Sequence, residues 1–177
     1  MKVIKFSSGT GEYGELSNFW RHSHPLQVGG LYFTTSEHLY QSKKYIYPGA
    51  SPLAVEYGKQ IASASTPYKA KILANMKKGG GYTWRIALNS VIAQYEKRGV
   101  VMRPDWEQVK KEEMHNVLRT KFSQDKHCRS VLLSTQGFEL VEHSPHDSFW
   151  GDGGDGSGQN QLGKLLVTLR EEIVLLK

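Results

Sequence analysis

The sequence predicts one α+β domain that is rich in helix and carries a small β-sheet. The chain has 177 residues, the size of a single ordinary domain that can bury a hydrophobic core. Most of it divides into segments that open with a helix-capping residue, whereas only a few short apolar segments bounded by turn residues read as strands. The sequence contains no internal repeat and no low-complexity linker, so we expect residues 1–177 to form one domain.

The predicted strands are short. Val3–Phe6 reads as a strand near the start of the chain, and Phe138–Val141 reads as another before a glycine-rich stretch. Leu26–Val28 and Leu31–Phe33 flank the pair Gly29-Gly30, which is typical of a two-residue hairpin turn.

The helices are predicted from their start signals. Thr34 precedes Glu37 by three residues, which is the spacing of a capping box. Ser51-Pro52 and Thr66-Pro67 each place a proline at the first helical position, and Gly79–Gly81 is expected to end the second of these helices. The other predicted helices run from Thr83 to Gly99, from Asp105 to about Phe122, from Asp125 to Leu133 and from Asn160 to Leu176.

The charge of the chain favours an anionic ligand. Lys and Arg number 23 against 17 Asp and Glu, which gives a formal net charge of +6. A phosphorylated small molecule or a nucleic acid is therefore expected as a partner. The basic residues are scattered rather than grouped in one block, which weakens a purely nucleic-acid interpretation.

The sequence indicates an intracellular, cytoplasmic protein, with the nucleus as the alternative in a eukaryote. Cys128 is the single cysteine, so neither a disulfide framework nor a cysteine-rich zinc site is expected. Met1–Phe6 leads into polar residues rather than into the apolar stretch of a signal peptide. No apolar run approaches membrane-spanning length, so no membrane partner is expected.

The most distinctive stretch runs from Asp147 to Gly163. It places Phe149 and Trp150 directly before six glycines in residues 151–163, and it leads into apolar residues at helical spacing. Glycines let backbone N–H groups approach a ligand closely, and a helix N-terminus adds unpaired donors. The stretch therefore predicts a pocket for a nucleotide or sugar phosphate, and a flexible glycine loop is the simpler alternative.

Known ion and nucleotide motifs do not fit this stretch. A calcium loop beginning at Asp152 would need a carboxylate where Gly163 stands. The pair Gly163-Lys164 lacks the Ser or Thr that follows it in a Walker loop. The seven histidines show no metal-ligand spacing, so we expect no catalytic metal and no cofactor.

Three blocks of the sequence resemble the NADAR family, which is named for its association with NAD and ADP-ribose. The blocks are Tyr13–Phe19 (YGELSNF), Thr35–Lys44 (TSEHLYQSKK) and Leu140–Gly163, which contains LVEH, WGDGG and NQLG. The last block is long and unusual enough to be specific, and the resemblance extends from about Phe6 to Glu172. It implies the NADAR fold for the whole domain.

The resemblance implies a metal-independent hydrolase that cleaves the bond between a ribose C1 and a base nitrogen. Its substrate is either ADP-ribose attached to guanine, which would make it an ADP-ribosyl glycohydrolase, or a phosphoribosylamino-pyrimidine of riboflavin biosynthesis. The chain departs from the compact bacterial form between about Lys69 and Met102, which favours the ADP-ribosyl substrate. ADP-ribosylated DNA or RNA is a further candidate partner. A non-catalytic ADP-ribose-binding module and a basic nucleic-acid-binding protein are alternatives of another class.

By the same resemblance, Glu37, Trp106, Asp147 and Trp150 match functional positions of the family, and Lys44 matches its helix lysine. Cleaving an N-glycoside develops positive charge at C1 and requires a proton for the departing nitrogen, work that a pair of carboxylates can share. Glu37 and Asp147 are the candidate carboxylates. The simpler alternatives are a capping-box acid for Glu37 and a residue that bonds its own loop backbone for Asp147.

Lys44 offers a second route and completes the set of catalytic candidates. A ribosylamine can open its ring to an imine, and a lysine can then displace the base nitrogen as a Schiff base. Helix geometry predicts Glu37 and Lys44 on one face, about 10 Å apart along the axis, with room for a sugar between their side chains. A solvated lysine paired with a carboxylate is the simpler alternative.

Substrate-binding candidates complete the predicted site. Trp106 and Trp150 are predicted to stack on a base or to shield the site from water, with a core position as the alternative for each. Asn18 and Asn160 are predicted to hydrogen-bond ribose hydroxyls or phosphate, with turn capping as the alternative. The remaining candidates are Ser17, Phe19, Gly151, Asp152 and Gly158.

Overall fold

The computed structural model describes residues 2–9, 11–76 and 83–175, and it confirms the α+β class. The strands are β1 (Lys2–Phe6), β2 (Leu26–Val28), β3 (Leu31–Phe33) and β4 (Phe138–Glu142). The helices are α1 (Ser36–Ser42), α2 (Pro52–Ala62), α3 (Pro67–Ala74), α4 (Thr83–Lys97), α5 (Trp106–Gln124), α6 (Lys126–Ser134) and α7 (Gln161–Leu175), and a 3-10 helix spans Gly14–Leu16. None of the helices in the described ranges combines the length and apolarity needed to cross a bilayer.

The contacts divide the chain into two compact units. The first unit combines Met1–Leu26 with His115–Lys177, and the second unit is Gln27–Met114. Each unit has buried apolar residues of its own. The prediction that residues 1–177 act as one domain stays a prediction.

The predicted strands form two small sheets rather than one. In the first unit, β1 and β4 pair in parallel, with Lys2 opposite Phe138 and Phe6 opposite Glu142. The second sheet is the predicted hairpin of β2 and β3. Gly29 and Gly30 have φ angles of 57° and 77°, the left-handed values that the two central residues of a type I′ turn require.

The helix-capping residues confirm most of the predicted helix starts. The Ser51 hydroxyl accepts a hydrogen bond from the Ala54 amide, and the Thr66 hydroxyl accepts one from the Lys69 amide. Asp125 caps α6 in the same way, through the amide of Cys128.

Two predicted helix ends need correction. Helix α1 is capped by Thr35 instead of Thr34, because the Thr35 hydroxyl accepts the His38 amide hydrogen. Helix α3 ends at Ala74 with Asn75 as its C-cap, so Gly79–Gly81 do not end it. Those glycines lie outside the described residues.

The core of the second unit holds the end of α3 in place. The Tyr45 hydroxyl donates to the Ala74 carbonyl at 2.9 Å, and the Tyr57 hydroxyl donates to the Leu73 carbonyl at 2.8 Å. The two tyrosine rings meet edge to face, with centroids 4.9 Å apart. The cluster consists of Tyr45, Tyr57, Ile61, Ala70, Ile72, Leu73, Ala74, Ile92, Tyr95 and Val100. The buried hydroxyls thus anchor the last carbonyls of α3, just before Asn75.

In the first unit, α7 packs directly on the edge of β4. A Cβ atom added to Gly163 would lie 2.0 Å from the Leu140 carbonyl oxygen, so only glycine allows this approach. Leu162, Leu166 and Leu169 on the predicted apolar face of α7 are buried. This packing fixes the start of α7, where the glycine-rich stretch ends.

Candidate active site

Helix α1 carries Glu37 on a buried segment, and Glu37 is not the acid of a capping box. With Thr35 as the N-cap, the third helical position belongs to His38. The Thr35 hydroxyl lies 2.8 Å from His38 Nδ1, and Nε2 of the same ring lies 2.9 Å from the Ala64 carbonyl. The predicted capping alternative for Glu37 is therefore wrong, because its helix is capped by other residues.

The Glu37 carboxylate contacts a side chain one turn further along α1. Glu37 is only 5% exposed, and its Oε1 accepts a hydrogen bond of 2.7 Å from Nε2 of Gln41. This hydrogen bond fixes the rotamer of the buried carboxylate. Sequence reasoning did not assign Gln41 to the site.

Lys44 lies one residue beyond the C-cap of α1 rather than on the helix itself. The helix ends at Ser42 with Lys43 as its C-cap, and the Lys44 amide donates to the Gln41 carbonyl at 3.3 Å. The predicted helical spacing between Glu37 and Lys44 therefore does not hold. Lys44 is nevertheless buried, with 5% of its surface exposed, so the prediction of a solvated lysine is wrong.

Asn75 and Trp106 lie next to the Lys44 ammonium. Its Nζ donates to Oδ1 of Asn75 at 2.7 Å and lies 5.4 Å from the centre of the Trp106 ring. The Lys44 carbonyl accepts a hydrogen bond of 2.9 Å from the Arg103 amide. The backbone and the end of the Lys44 side chain are thus both held in place.

The Trp106 ring packs against the Lys44 ammonium and is not exposed for stacking on a base. It is 4% exposed, and its ring lies 5.1 Å from that of Tyr40, tilted by 51°. A cation over a Trp face is attracted to the ring, more strongly when both are desolvated. The geometry therefore supports the core alternative for Trp106, with a positioning effect on Lys44, more than base stacking.

The glycine-rich stretch folds on itself through its own backbone. The amides of residues 151, 152, 154 and 156–162 all donate hydrogen bonds to oxygen atoms within residues 142–155. The first two amides of α7, at Gln161 and Leu162, donate to the carbonyls of Phe149 and Trp150. The prediction that Gly151, Gly158 and the helix start bind a phosphate is therefore not supported, because these donors are already engaged.

The glycines of this stretch are needed for close packing. A Cβ added to Gly158 would lie 2.5 Å from the Gly151 carbonyl oxygen, and one added to Gly151 would lie 2.9 Å from the Glu142 carbonyl oxygen. Gly154 adopts a φ of 88°, a left-handed value that favours glycine. The composition that predicted access for a ligand instead allows the loop to close tightly.

Asp152 is the centre of this loop. Its carboxylate accepts hydrogen bonds from the Ser144 and Gly154 amides and lies 2.9 Å from Nδ1 of His143. Burial alone would raise the pKa of Asp152, but these hydrogen bonds, led by that from His143, lower the pKa to about 2. Asp152 thus holds the loop together, and its predicted substrate contact is not supported.

Asn160 ties the loop to β4. Its Nδ2 donates to the Leu140 carbonyl at 2.8 Å, and its Oδ1 accepts from the Glu142 amide at 3.0 Å. The side chain thereby imitates a neighbouring strand, and the residue itself has a φ of 49°. These hydrogen bonds give Asn160 a structural role, and its predicted contact with ribose or phosphate stays a prediction.

Asp147 and Trp150 lie on the same turn. Asp147 Oδ1 accepts hydrogen bonds from the amides of Phe149 at 3.2 Å and Trp150 at 2.8 Å, as in an Asx turn. The half-buried Trp150 ring meets the Phe149 ring edge to face, with centroids 4.9 Å apart. The geometry supports the turn alternative for Asp147, and it fixes the position from which Trp150 projects.

The segment Ser17–Phe19 is held by a buried lysine. Nζ of the fully buried Lys121 donates to the Ser17 carbonyl at 2.8 Å, and the Ser17 hydroxyl accepts the Phe19 amide hydrogen. Burial lowers the pKa of Lys121 to about 8. Asn18 is buried and Phe19 is half-buried, and their substrate contacts stay predictions. Sequence reasoning missed Lys121, which has no motif to mark it.

One group within the described ranges has metal-ligand chemistry, namely His22, Asp125 and Cys128. Burial raises the pKa of the Cys128 thiol to about 12, so it is protonated and a poor ligand. Both Asp125 oxygens are engaged, one by the Cys128 amide at 3.0 Å and the other by His22 Nδ1 at 2.7 Å. The buried charge of Lys121 also opposes a cation here. The donor set does not fit a metal, and metal independence stays a prediction.

Comparison with known proteins identifies a family for the whole chain. A family profile described as the NADAR domain matches residues 5–174. N-glycosidase YbiA of Escherichia coli (strain K12) is 36% identical over 177 residues, which cover 99% of this chain and 91% of that protein. Its NMR structure superimposes with a TM-score of 0.70 at 33% identity and covers 98% of this chain and 86% of that one.

Two further relatives carry names from riboflavin biosynthesis. The chloroplastic riboflavin biosynthesis protein PYRR of Zea mays is 35% identical over 175 residues, which cover 97% of this chain and 25% of that protein. Riboflavin biosynthesis protein VVA0006 of Vibrio vulnificus is 32% identical over 172 residues, which cover 96% of this chain and 38% of that protein.

Proposed function

The chain belongs to the NADAR family, and from this premise we propose that it hydrolyses the bond between a ribose C1 and a nucleobase nitrogen. Its relatives are named N-glycosidases, so it is an enzyme of the hydrolase class. ADP-ribose attached to guanine is the substrate that we propose for it. The phosphoribosylamino-pyrimidine is the second candidate, favoured by the names of the riboflavin biosynthesis relatives.

The distribution of charge carries the proposal of an ADP-ribosyl substrate. Residues 27–114 contain 13 Lys and Arg against seven Asp and Glu, whereas the rest of the chain contains ten of each. The entire net charge of +6 thus belongs to the unit that holds Glu37 and Lys44. A diphosphate, or a nucleic-acid strand that bears it, gains more from such a field than a single phosphate does.

In the proposed reaction, Glu37 acts on the reacting water or on the charge at C1. The Glu37 carboxylate, held by the hydrogen bond from Gln41, accepts a proton of the water as it adds to C1 and passes that proton to the departing base nitrogen. Gln41 Oε1 is buried without a hydrogen-bond partner among the described residues. Turning the carboxamide over breaks the bond from Nε2 to Glu37 but no bond of Oε1, and Oε1 then accepts a hydrogen bond from the protonated Glu37 carboxyl.

Lys44 supplies the alternative step. When the ribose ring of the substrate opens to an imine, the neutral amine of Lys44 adds to C1 and the base nitrogen leaves with a proton. Water then hydrolyses the lysine Schiff base and releases the open-chain sugar. The burial of Lys44 supports this role, since desolvation disfavours the ammonium form of a lysine.

The test is to incubate the protein with ADP-ribosylated guanosine and, separately, with a phosphoribosylamino-pyrimidine, and to separate the products by chromatography. We expect free ADP-ribose and guanosine from the first substrate. Release from the pyrimidine alone would establish the second candidate instead. Tight binding of ADP-ribose with no release from either substrate would identify a binding module and overturn the proposal.

A further inference from the structure

Asn75 is a hydrogen-bond acceptor for the Lys44 ammonium. Its Oδ1 lies 2.7 Å from Nζ, at the short end of the range for a hydrogen bond from a charged donor. Asn75 is the C-cap residue of α3, whereas Lys44 follows the end of α1. No sequence pattern marks the pair, because 31 residues separate the two positions.

The orientation of the Asn75 side chain is fixed from behind. Its Nδ2 donates to the Lys71 carbonyl at 2.7 Å, one of the last carbonyls of α3. A carboxamide has a single oxygen, so engaging Nδ2 with a carbonyl leaves Oδ1 directed at Lys44. The end of α3 is itself anchored by the buried hydroxyls of Tyr45 and Tyr57. Asn75, which accepts the hydrogen bond from Lys44, therefore lies at a helix end that the buried core holds in place.

We propose that Asn75 is a positioning residue that holds the Lys44 amine at its point of attack without adding negative charge. This inference rests on the proposed function, in which Lys44 forms the Schiff base. An Asp in the same place would hold the amine equally well but would favour the charged, non-nucleophilic ammonium. A neutral amide fixes Nζ in either protonation state and lets it lose its proton when the substrate arrives.

Other titratable groups surround Lys44 and contribute to its charge state. Glu37 lies on α1, the helix that precedes Lys44, and the ring of Trp106 lies 5.4 Å from Nζ. Titratable groups on the other elements packed against α1 or next to Lys44 include Tyr32 of β3, Tyr57 of α2, Lys71 of α3, Arg103 before α5 and Glu113 within α5. None of these groups changes in the two variants below, so differences between the variants report on Asn75.

The experiment compares Asn75→Leu with Asn75→Asp in the full chain. Borohydride is added during turnover of ADP-ribosylated guanosine, and the Lys44 adduct is quantified by mass spectrometry across a range of pH. In Asn75→Leu we expect the rate of trapping to fall by about tenfold or more with little change in KM. In Asn75→Asp we expect the rising limb of the pH–rate profile to move up by about one pH unit or more.

Asn116→Asp is the matched control, because it adds the same charge at an exposed position of α5. Its pH profile should coincide with that of the wild type. Thermal unfolding of each variant separates a loss of positioning from a loss of folding. If Asn75→Leu unfolds, the pH shift of Asn75→Asp still decides the matter, since a merely structural role would not move the profile.

The outcomes separate the two proposals. A wild-type protein that releases no base from either substrate contradicts the proposed function. An active wild type that gives no adduct, together with an active Lys44→Ala, overturns the Schiff-base step and with it the role of Asn75. A wild type that forms the adduct, with Asn75→Leu and Asn75→Asp matching it in rate and pH profile, overturns only the inference about Asn75.

Discussion

Asn160→Ala distinguishes a structural residue from a substrate-binding one. The substitution removes hydrogen bonds of 2.8 and 3.0 Å and leaves the Leu140 carbonyl and the Glu142 amide of β4 without these partners. A buried polar group that loses its partner costs about 1–3 kcal/mol. Alanine at a φ of 49° adds about 1 kcal/mol of backbone strain. We therefore expect the free energy of unfolding to fall by about 3 kcal/mol or more.

The assay is urea denaturation followed by circular dichroism, with Asn160→Gly and Asn116→Ala as controls. Asn160→Gly loses the same hydrogen bonds but tolerates the left-handed backbone, so it should be the milder variant by about 1 kcal/mol. Asn116 is exposed, and its replacement should change stability by less than about 0.5 kcal/mol. Wild-type stability in Asn160→Ala combined with a higher KM would show that Asn160 binds substrate and would refute the structural role.

Three further predictions test the packing and the electrostatics of the first unit. The pKa values of Asp152 and Asp125 are lowered to about 2. Their contribution to the free energy of unfolding should therefore be present above pH 4 and lost as the pH falls towards 2. In Asp152→Asn, the free energy of unfolding measured with urea should fall by about 2 kcal/mol less between pH 4 and pH 2 than in the wild type. The same fall in both proteins would contradict this prediction. Cys128 should react with a thiol reagent only after unfolding, because burial raises its pKa to about 12, and rapid labelling of the native protein would show otherwise. Gly163→Ala should lose most of its folded population in a thermal melt, since the new Cβ would overlap the Leu140 carbonyl, and a wild-type melt would disprove that packing.

Local signals predicted the helices and the hairpin well. Proline after Ser51 and Thr66 and the pair Gly29-Gly30 act through nearest neighbours, and their effects are independent of tertiary structure. The parallel pairing of β1 with β4 was not predicted, because it joins residues near opposite ends of the chain. Register across such a separation is set by the whole fold rather than by the strand sequences.

The candidate site shows where composition is ambiguous. Glycines signal that the backbone has freedom, but they do not say whether its amides point to a ligand or, as around Gly158, to the loop itself. The Thr34–Glu37 spacing suggested a cap that Thr35 in fact provides. Asn75 and Gln41 carried no signal, because a side-chain partner on a buried face looks like any other polar residue.

The central claim is that Glu37 takes part in the chemistry of an N-glycosidase. Glu37→Gln keeps the shape of the side chain, and its amide oxygen still accepts the hydrogen bond from Gln41, so folding and ligand affinity should change little. The measurement is single-turnover release of guanosine from ADP-ribosylated guanosine at saturating enzyme, with ADP-ribose affinity measured on the same samples. We predict that the rate falls by about a hundredfold or more at unchanged affinity. A hundredfold fall is equivalent to about 2.7 kcal/mol of transition-state stabilisation. A wild-type rate in Glu37→Gln would contradict the acid–base role of Glu37.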